Sequence, residues 1–173
     1  MIRVYPRTKG FARGERCPPS RPVREPPDPS EASIMLWITR PHPHIDRTAC
    51  AWLIRRFVDP EAAFAFAVDP EAASKLGGTP FDMRGVELGH HEDRCSFETI
   101  LAKYQLGDPA LHRIAAMVHD ADLHDWKFRA PESPGLDAVI RGLGMMVEDD
   151  HELLGYTDRL YDGLLAWLRR SPL

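Results

Sequence analysis

The sequence predicts an α+β domain, mainly helical, with about five helices around a small sheet of two or three strands. Three observations lead there. Two short β-prone apolar runs, at residues 35–39 and 63–68, flank one helix-length segment. Through most of the remaining chain, apolar residues recur at spacings of three and four. Capping residues and Asp-Pro pairs stand just ahead of those stripes, where helices begin.

Each element can be justified in order. Met35-Leu36-Trp37-Ile38-Thr39 is short and apolar, as a buried strand is, and Arg40-Pro41-His42-Pro43 forces a turn after it. Residues 45–58 read as a helix burying Ala49, Trp52, Leu53 and Phe57, and residues 63–68 as a second strand that completes a β-α-β unit. Asp69 followed by Pro70 caps a short helix that ends by Gly77-Gly78. Phe81-Asp82-Met83 and Val86-Glu87-Leu88 suggest a third strand or a hairpin. Ser96 precedes the stripe Phe97, Ile100, Leu101 and Tyr104, and Asp108-Pro109 precedes Leu111, Ile114, Ala115 and Val118. Leu136, Val139, Ile140 and Leu143 mark another helix. Asp149 with Glu152 resembles a capping box for the last one, with Leu153, Thr157, Leu160, Tyr161, Leu164 and Leu168 down one side.

Residues 1–34 are different in kind. They hold seven of the sixteen prolines and seven basic side chains against four acidic ones. Proline lacks the amide donor and fixes φ, so this stretch is expected to be a disordered or extended tail, with residues 35–173 as the single domain. A start of translation at Met35 is the alternative expectation. Because the whole chain carries a net charge of −4, the part after the basic tail is the more acidic one. That balance opposes nonspecific attraction to nucleic-acid phosphates. No apolar run reaches the roughly 18 residues of a membrane span, and no signal-like apolar core follows the N-terminus. The three cysteines Cys17, Cys50 and Cys95 are scattered, which excludes a zinc ribbon and points to a reducing, cytoplasmic setting.

Three clusters can carry chemistry. In the first, His42, His44, Asp46 and Arg47 lie at the start of the first helix. Stepping back along its stripe from Phe57 through Leu53 and Cys50 reaches Asp46, and a carboxylate on a buried face needs a cap, a partner or a metal. The second is His90-His91-Glu92-Asp93 with Arg94, Cys95 and Glu98. In extended chain His91 and Asp93 point the same way, whereas adjacent histidines diverge. Cys95, next to Arg94 and the histidines, is a candidate redox thiol. In the third, the stripe ending at Val118 runs on to Asp122 and Asp125, with His119 at the edge of the same face. Acids where the pattern calls for core indicate a polar cavity, unless the helix ends near His119 and the acids are solvated.

These residues also resemble a family. Thr39-Arg40-Pro41, then His44-Ile45-Asp46-Arg47-Thr48-Ala49-Cys50-Ala51-Trp52-Leu53-Ile54-Arg55-Arg56-Phe57-Val58-Asp59-Pro60, is similar to the opening of the C-terminal domain of chromate-resistance protein B. His90-His91-Glu92-Asp93-Arg94-Cys95-Ser96-Phe97-Glu98 resembles its central motif. Val118-His119-Asp120-Ala121-Asp122-Leu123 and Asp149-Asp150-His151-Glu152 fit as well. The resemblance implies a cytosolic protein linked to chromate sensing and resistance. Longer members are regarded as regulators of a chromate-efflux operon, their DNA binding being credited to an N-terminal half that residues 1–34 are too short to form.

The resulting expectation is a chromate-resistance accessory or sensor domain with a metal or oxyanion site. His44, Asp46, His91, Asp93, His119 and Asp122 are the expected ligands of a divalent iron, manganese or zinc ion. Arg40, Arg47 and Arg94 are the expected contacts for an oxyanion, since guanidinium forks match such groups. The alternatives are a metal-dependent hydrolase reminiscent of His-Asp phosphohydrolases, with Asp122 or Glu98 as base, and a docking module for a separate DNA-binding or rhodanese-type protein.

Overall fold

The structure is a computed structural model and describes residues 35–170. The expected tail over residues 1–34 lies outside the described residues. As expected, the fold is α+β and mainly helical, with six helices and one small sheet among the described residues.

Strand β1 (Leu36–Thr39) is the centre of a three-stranded parallel sheet, flanked by β2 (Ala63–Phe66) and β3 (Thr79–Pro80). Leu36 pairs with Ala63, and Trp37 with both Phe64 and Thr79. Parallel neighbours need a crossover, which helix α1 (Ile45–Leu53) and helix α2 (Pro70–Leu76) supply. The third strand sits just ahead of Phe81, where it had been anticipated, because the link from α2 passes close beside β1. A side chain at Gly78 would place its Cβ 2.4 Å from the Leu36 carbonyl oxygen, so only glycine fits that approach. Beyond β3 the chain keeps one isolated bridge, Phe81 to Leu88.

The α1 segment continues through Ile54–Val58 as a π turn, so the single expected helix over residues 45–58 is two windings of one rod. The remaining helices are α3 (Ser96–Lys103), α4 (Pro109–Leu123), α5 (Ser133–Met146) and α6 (Asp150–Arg170). Helix α1 packs against α3, α4, α5 and α6, and is buried along almost its whole length. Trp52 is the hub of that packing: it stacks on Phe97 of α3 and tilts against Tyr161 of α6, and its indole N–H donates to Asp162 at 2.9 Å. Tyr161 in turn donates to the Ile45 carbonyl at 3.1 Å. Arg55 pairs with Asp158, and Arg56 forks onto Asp162, so one face of α1 is locked to α6.

One local expectation changes. Ser96 is the first residue of α3 rather than its cap; Cys95 holds the cap position. Val139, one of the apolar residues that mark α5, is 49% exposed. Among the described residues, no helix is long and apolar enough to cross a membrane.

Candidate functional site

The site grows from Asp46, in the first turn of α1 and only 2% exposed. Its carboxylate caps a neighbouring helix rather than its own. Oδ2 accepts from the Ser96 amide at 2.7 Å and Oδ1 from the Phe97 amide at 3.0 Å. These are the first two amides of α3, which have no partner inside the helix, and the positive helix end favours a carboxylate there. The Cys50 thiol donates to Oδ1 at 3.5 Å.

Asp82 adds a second buried carboxylate. It follows β3 in the left-handed region at φ 46°, a conformation that a non-glycine residue holds only when its surroundings fix it. Ser96 Oγ donates to its Oδ1 at 2.8 Å, and Arg47 Nε to its Oδ2 at 2.8 Å. Arg47 also donates to the carbonyls of Pro41 and His42. Burial pushes the Asp82 carboxyl up, but the contact with His90 and the charge of Arg47 outweigh it and leave the pKa below its ordinary value.

Asp122 supplies a third, from the last turn of α4. All three converge on one imidazole nitrogen. His90 Nε2 lies 3.0 Å from Asp46 Oδ2, 3.4 Å from Asp82 Oδ1 and 3.4 Å from Asp122 Oδ2. Hydrogen bonding to Asp46 and Asp82 raises the His90 pKa to about 10, so the ring is an imidazolium at neutral pH. Burial first, and then repulsion from Asp46, raises Asp122 to about 6. Two cations, His90 and Arg47, thus face three carboxylates and leave the cluster one negative charge in excess. Asp46, His90 and Asp122 each offer a ligand atom within 4.8 Å of the others. A cation held there would tie α1, α4 and the loop before α3 together.

A second cluster lies around His119, which is wholly buried. Its Nδ1 is 2.6 Å from Glu98 Oε2 and its Nε2 is 3.2 Å from Asp125 Oδ2. Burial lowers the His119 pKa, but those two carboxylates raise it further than burial lowers it. Glu98 also accepts from the Cys95 amide at 3.0 Å, completing a capping box on α3. The Cys95 thiol itself is pushed far up, by burial and then by Asp46. That is the opposite of the lowering expected for a redox thiol, because Cys95 is buried while Arg94 beside it is exposed. Asp120 is likewise structural: it accepts from the amides of Phe128 at 3.0 Å and Ala130 at 2.8 Å, pinning the loop after α4.

Of the six expected ligands, the structure brings Asp46 and Asp122 together. His119 belongs to the second cluster. His44, on the turn before α1, meets Asp137 of α5 at 3.2 Å, and burial followed by Arg141 lowers its pKa. His91 and Asp93 face away: His91 Nε2 contacts the Glu87 carbonyl at 2.7 Å and Asp93 pairs with Lys127 at 2.7 Å. The alternation of an extended chain fails there because residues 91–94 form a tight turn, with Glu92 at φ 54°. The turn aims His90, rather than His91, at the carboxylates, with its side chain still 41% exposed. The three arginines do not converge either. Arg47 is bonded to Asp82, Arg40 is exposed, and Arg94 lines a groove of about 570 Å³ between α3 and α4 that contains none of the four cluster residues. Sequence reasoning missed His90, Asp82 and Asp137. Asp82 had a usable signal, an acid wedged between the apolar Phe81 and Met83.

Residues 37–168 match the family model for the ChrB C-terminal domain, so the chain belongs to that family. Among curated proteins it is similar to Protein ChrB of Cupriavidus metallidurans (strain ATCC 43123 / DSM 2839 / NBRC 102507 / CH34), at 38% identity over 142 residues. That alignment covers 79% of this chain and 42% of the relative, so the chain spans less than half of the relative's length. No solved structure matches.

Proposed function

We propose that this chain is an accessory or sensor domain of chromate resistance that binds a divalent cation through Asp46, His90 and Asp122, with Asp82 beside them. The observation that carries the reading is the meeting of three carboxylates on one nitrogen, His90 Nε2, at 3.0, 3.4 and 3.4 Å. Gathering like charges in a buried place is costly, and the Asp122 carboxyl is raised to about 6, first by burial and then by repulsion from Asp46. A fold tolerates such a cost where a ligand repays it. Carboxylate oxygens with one imidazole suit manganese, iron or zinc.

A cation is favoured over an oxyanion for two reasons. Three carboxylates repel a dianion, and the only arginine in the cluster, Arg47, is bonded to Asp82. The link to chromate resistance rests on membership of the ChrB family. The partner proposed for such a domain is a DNA-binding or rhodanese-type protein, and pull-down with the tag-free chain tests that docking.

The test is equilibrium dialysis of the whole, tag-free chain against manganese, ferrous iron, zinc and chromate in separate cells. One of the cations is retained with an affinity that His90→Gln and Asp122→Asn each lower at least tenfold, and chromate alone is not retained. Retention of chromate without a cation, unaffected by Asp122→Asn, would overturn the reading.

A further inference from the structure

Helix α5 has two faces. Ser133, Leu136 and Ile140 are buried in the core, as one side of an amphipathic helix should be. The other side carries Gly135, Ala138, Val139, Gly142, Met145 and Met146, with no charge among them. Met145 is 85% exposed and Met146 79%, more than any other large apolar side chain among the described residues. A surface helix ordinarily turns charged residues to water there, and an uncharged apolar patch marks a contact surface.

The patch has relief as well as apolar character. Gly135 and Gly142 lie two turns apart on it, and a Cβ at either would meet nothing within 4 Å. The chain's own packing therefore does not call for glycine at these positions, although glycine is unfavourable in a helix. Bare backbone at that spacing admits a second helix at close range. Beside the patch runs a trough of about 240 Å³, lined by Met117, Gly135, Leu136, Val139, Leu160 and Leu164, with Glu132 the one charged residue on its wall. Such a lining takes an apolar side chain and offers little to a polar ligand. The trough lies along the first half of α5, and the protruding methionines, which adapt readily to irregular gaps, occupy its last turn.

A knob at one end of a helix and a hole at the other are complementary to themselves when two copies meet antiparallel across a two-fold axis. The charges agree with that arrangement. Arg129, before α5, and Glu148, after it, are exposed, and neither forms an ion pair among the described residues. The pair Gly135 and Gly142 and the pair Arg129 and Glu148 are both centred between Ala138 and Val139. An axis at that point sets Gly135 against Gly142 of the other copy and turns Arg129 towards the other copy's Glu148. It also carries each Met146 to the Glu132 end of the opposite trough. A parallel pair would instead set Glu148 against Glu148.

We propose that a second copy of this chain docks on the outer face of α5, forming an isologous dimer with the two α5 helices antiparallel. The interface shares no residue with the Asp46–His90–Asp122 cluster, so it does not depend on cation binding there.

Sedimentation equilibrium of the whole, tag-free chain at concentrations up to roughly 100 μM provides the test. Twice the chain mass is expected; a chain that stays monomeric throughout would overturn the proposal. Val139→Glu and Gly142→Leu should each weaken self-association at least tenfold and leave the far-ultraviolet circular dichroism unchanged. A dimer that tolerates both would place the interface elsewhere and overturn the proposal as well. Glu148→Arg should weaken the dimer severalfold, and adding Arg129→Glu should restore it; a double variant no tighter than Glu148→Arg would refute the antiparallel arrangement. The mass of the unaltered chain is decisive alone, so a variant that fails to fold leaves the proposal open to refutation.

Discussion

Replacing Asp46 by alanine tests how the site is built into the fold. The carboxylate accepts from the amides of Ser96 and Phe97, two residues that are themselves fully buried. Alanine would leave both donors orphaned, at about 1–3 kcal/mol each, and would remove a favourable charge from the α3 N-terminus, about 0.3–2 kcal/mol. Against this, Asp122 would lose a repelling neighbour, a relief of roughly 1 kcal/mol at the effective dielectric of such sites, which the loss of the partly exposed His90–Asp46 ion pair offsets in part. The net expectation is a destabilisation of about 3 kcal/mol, a large share of the roughly 5–15 kcal/mol that holds a domain together. Asp46→Asn keeps one acceptor oxygen and should lose about half as much. The assay is urea unfolding at neutral pH with a chelator present, followed by far-ultraviolet circular dichroism and by the fluorescence of the buried Trp37 and Trp52. Asp46→Ala within about 1 kcal/mol of the parent, or equal to Asp46→Asn, would refute the cross-helix cap.

Three further outcomes follow from the same geometry. Asp122→Asn should stabilise the metal-free protein at pH 7: the folded pKa of about 6 lies above the ordinary 3.8, so ionising Asp122 costs stability as pH rises from 3.8 through 6. The gain is at most about 3 kcal/mol, and the parent's stability, relative to the variant's, should recover as pH falls below 6; parallel profiles would contradict this. Cation affinity should rise with pH, because a His90 held protonated up to about pH 10 must lose its proton to bind, giving roughly a tenfold gain per unit above Asp122's pKa; a flat profile between pH 7 and 9 would contradict His90 as ligand. Asp120→Ala frees the amides of Phe128 and Ala130, so about 2 kcal/mol should be lost and exchange of those two amides with solvent should accelerate, without a change in cation affinity.

The elements were legible where one local signal governs them. Asp69-Pro70 and Asp108-Pro109 cap α2 and α4 as their chemistry dictates, with the Asp69 and Asp108 carboxylates accepting from the Ala72 and Ala110 amides. Asp46 and Asp122 were legible as acids on apolar stripes, and both come to the site. What was not legible depends on long-range placement. The choice of His90 over His91 is made by a tight turn that ordinary periodicity cannot register. Asp82 meets Asp46 only because the link after β3 returns beside α1 and the N-terminus of α3. Asp137 lies beside the apolar stripe of α5 and looks like an ordinary solvated acid until α5 is set against His44. The arginines misled because charge along the chain gives no account of partners: Arg47 is consumed by Asp82, and Arg94 faces another groove.

Counting protons answers the main question most directly. Calorimetric titration of the tag-free chain with the preferred cation, in two pH 8 buffers of different ionisation enthalpy, follows binding at the Asp46–His90–Asp122 cluster. Asp122 has already lost its proton at that pH and His90 still holds its own, so binding should release about one proton per cation. Stoichiometric binding that releases none, or no binding at all, would mean that the three carboxylates gather around His90 for some purpose other than holding a metal.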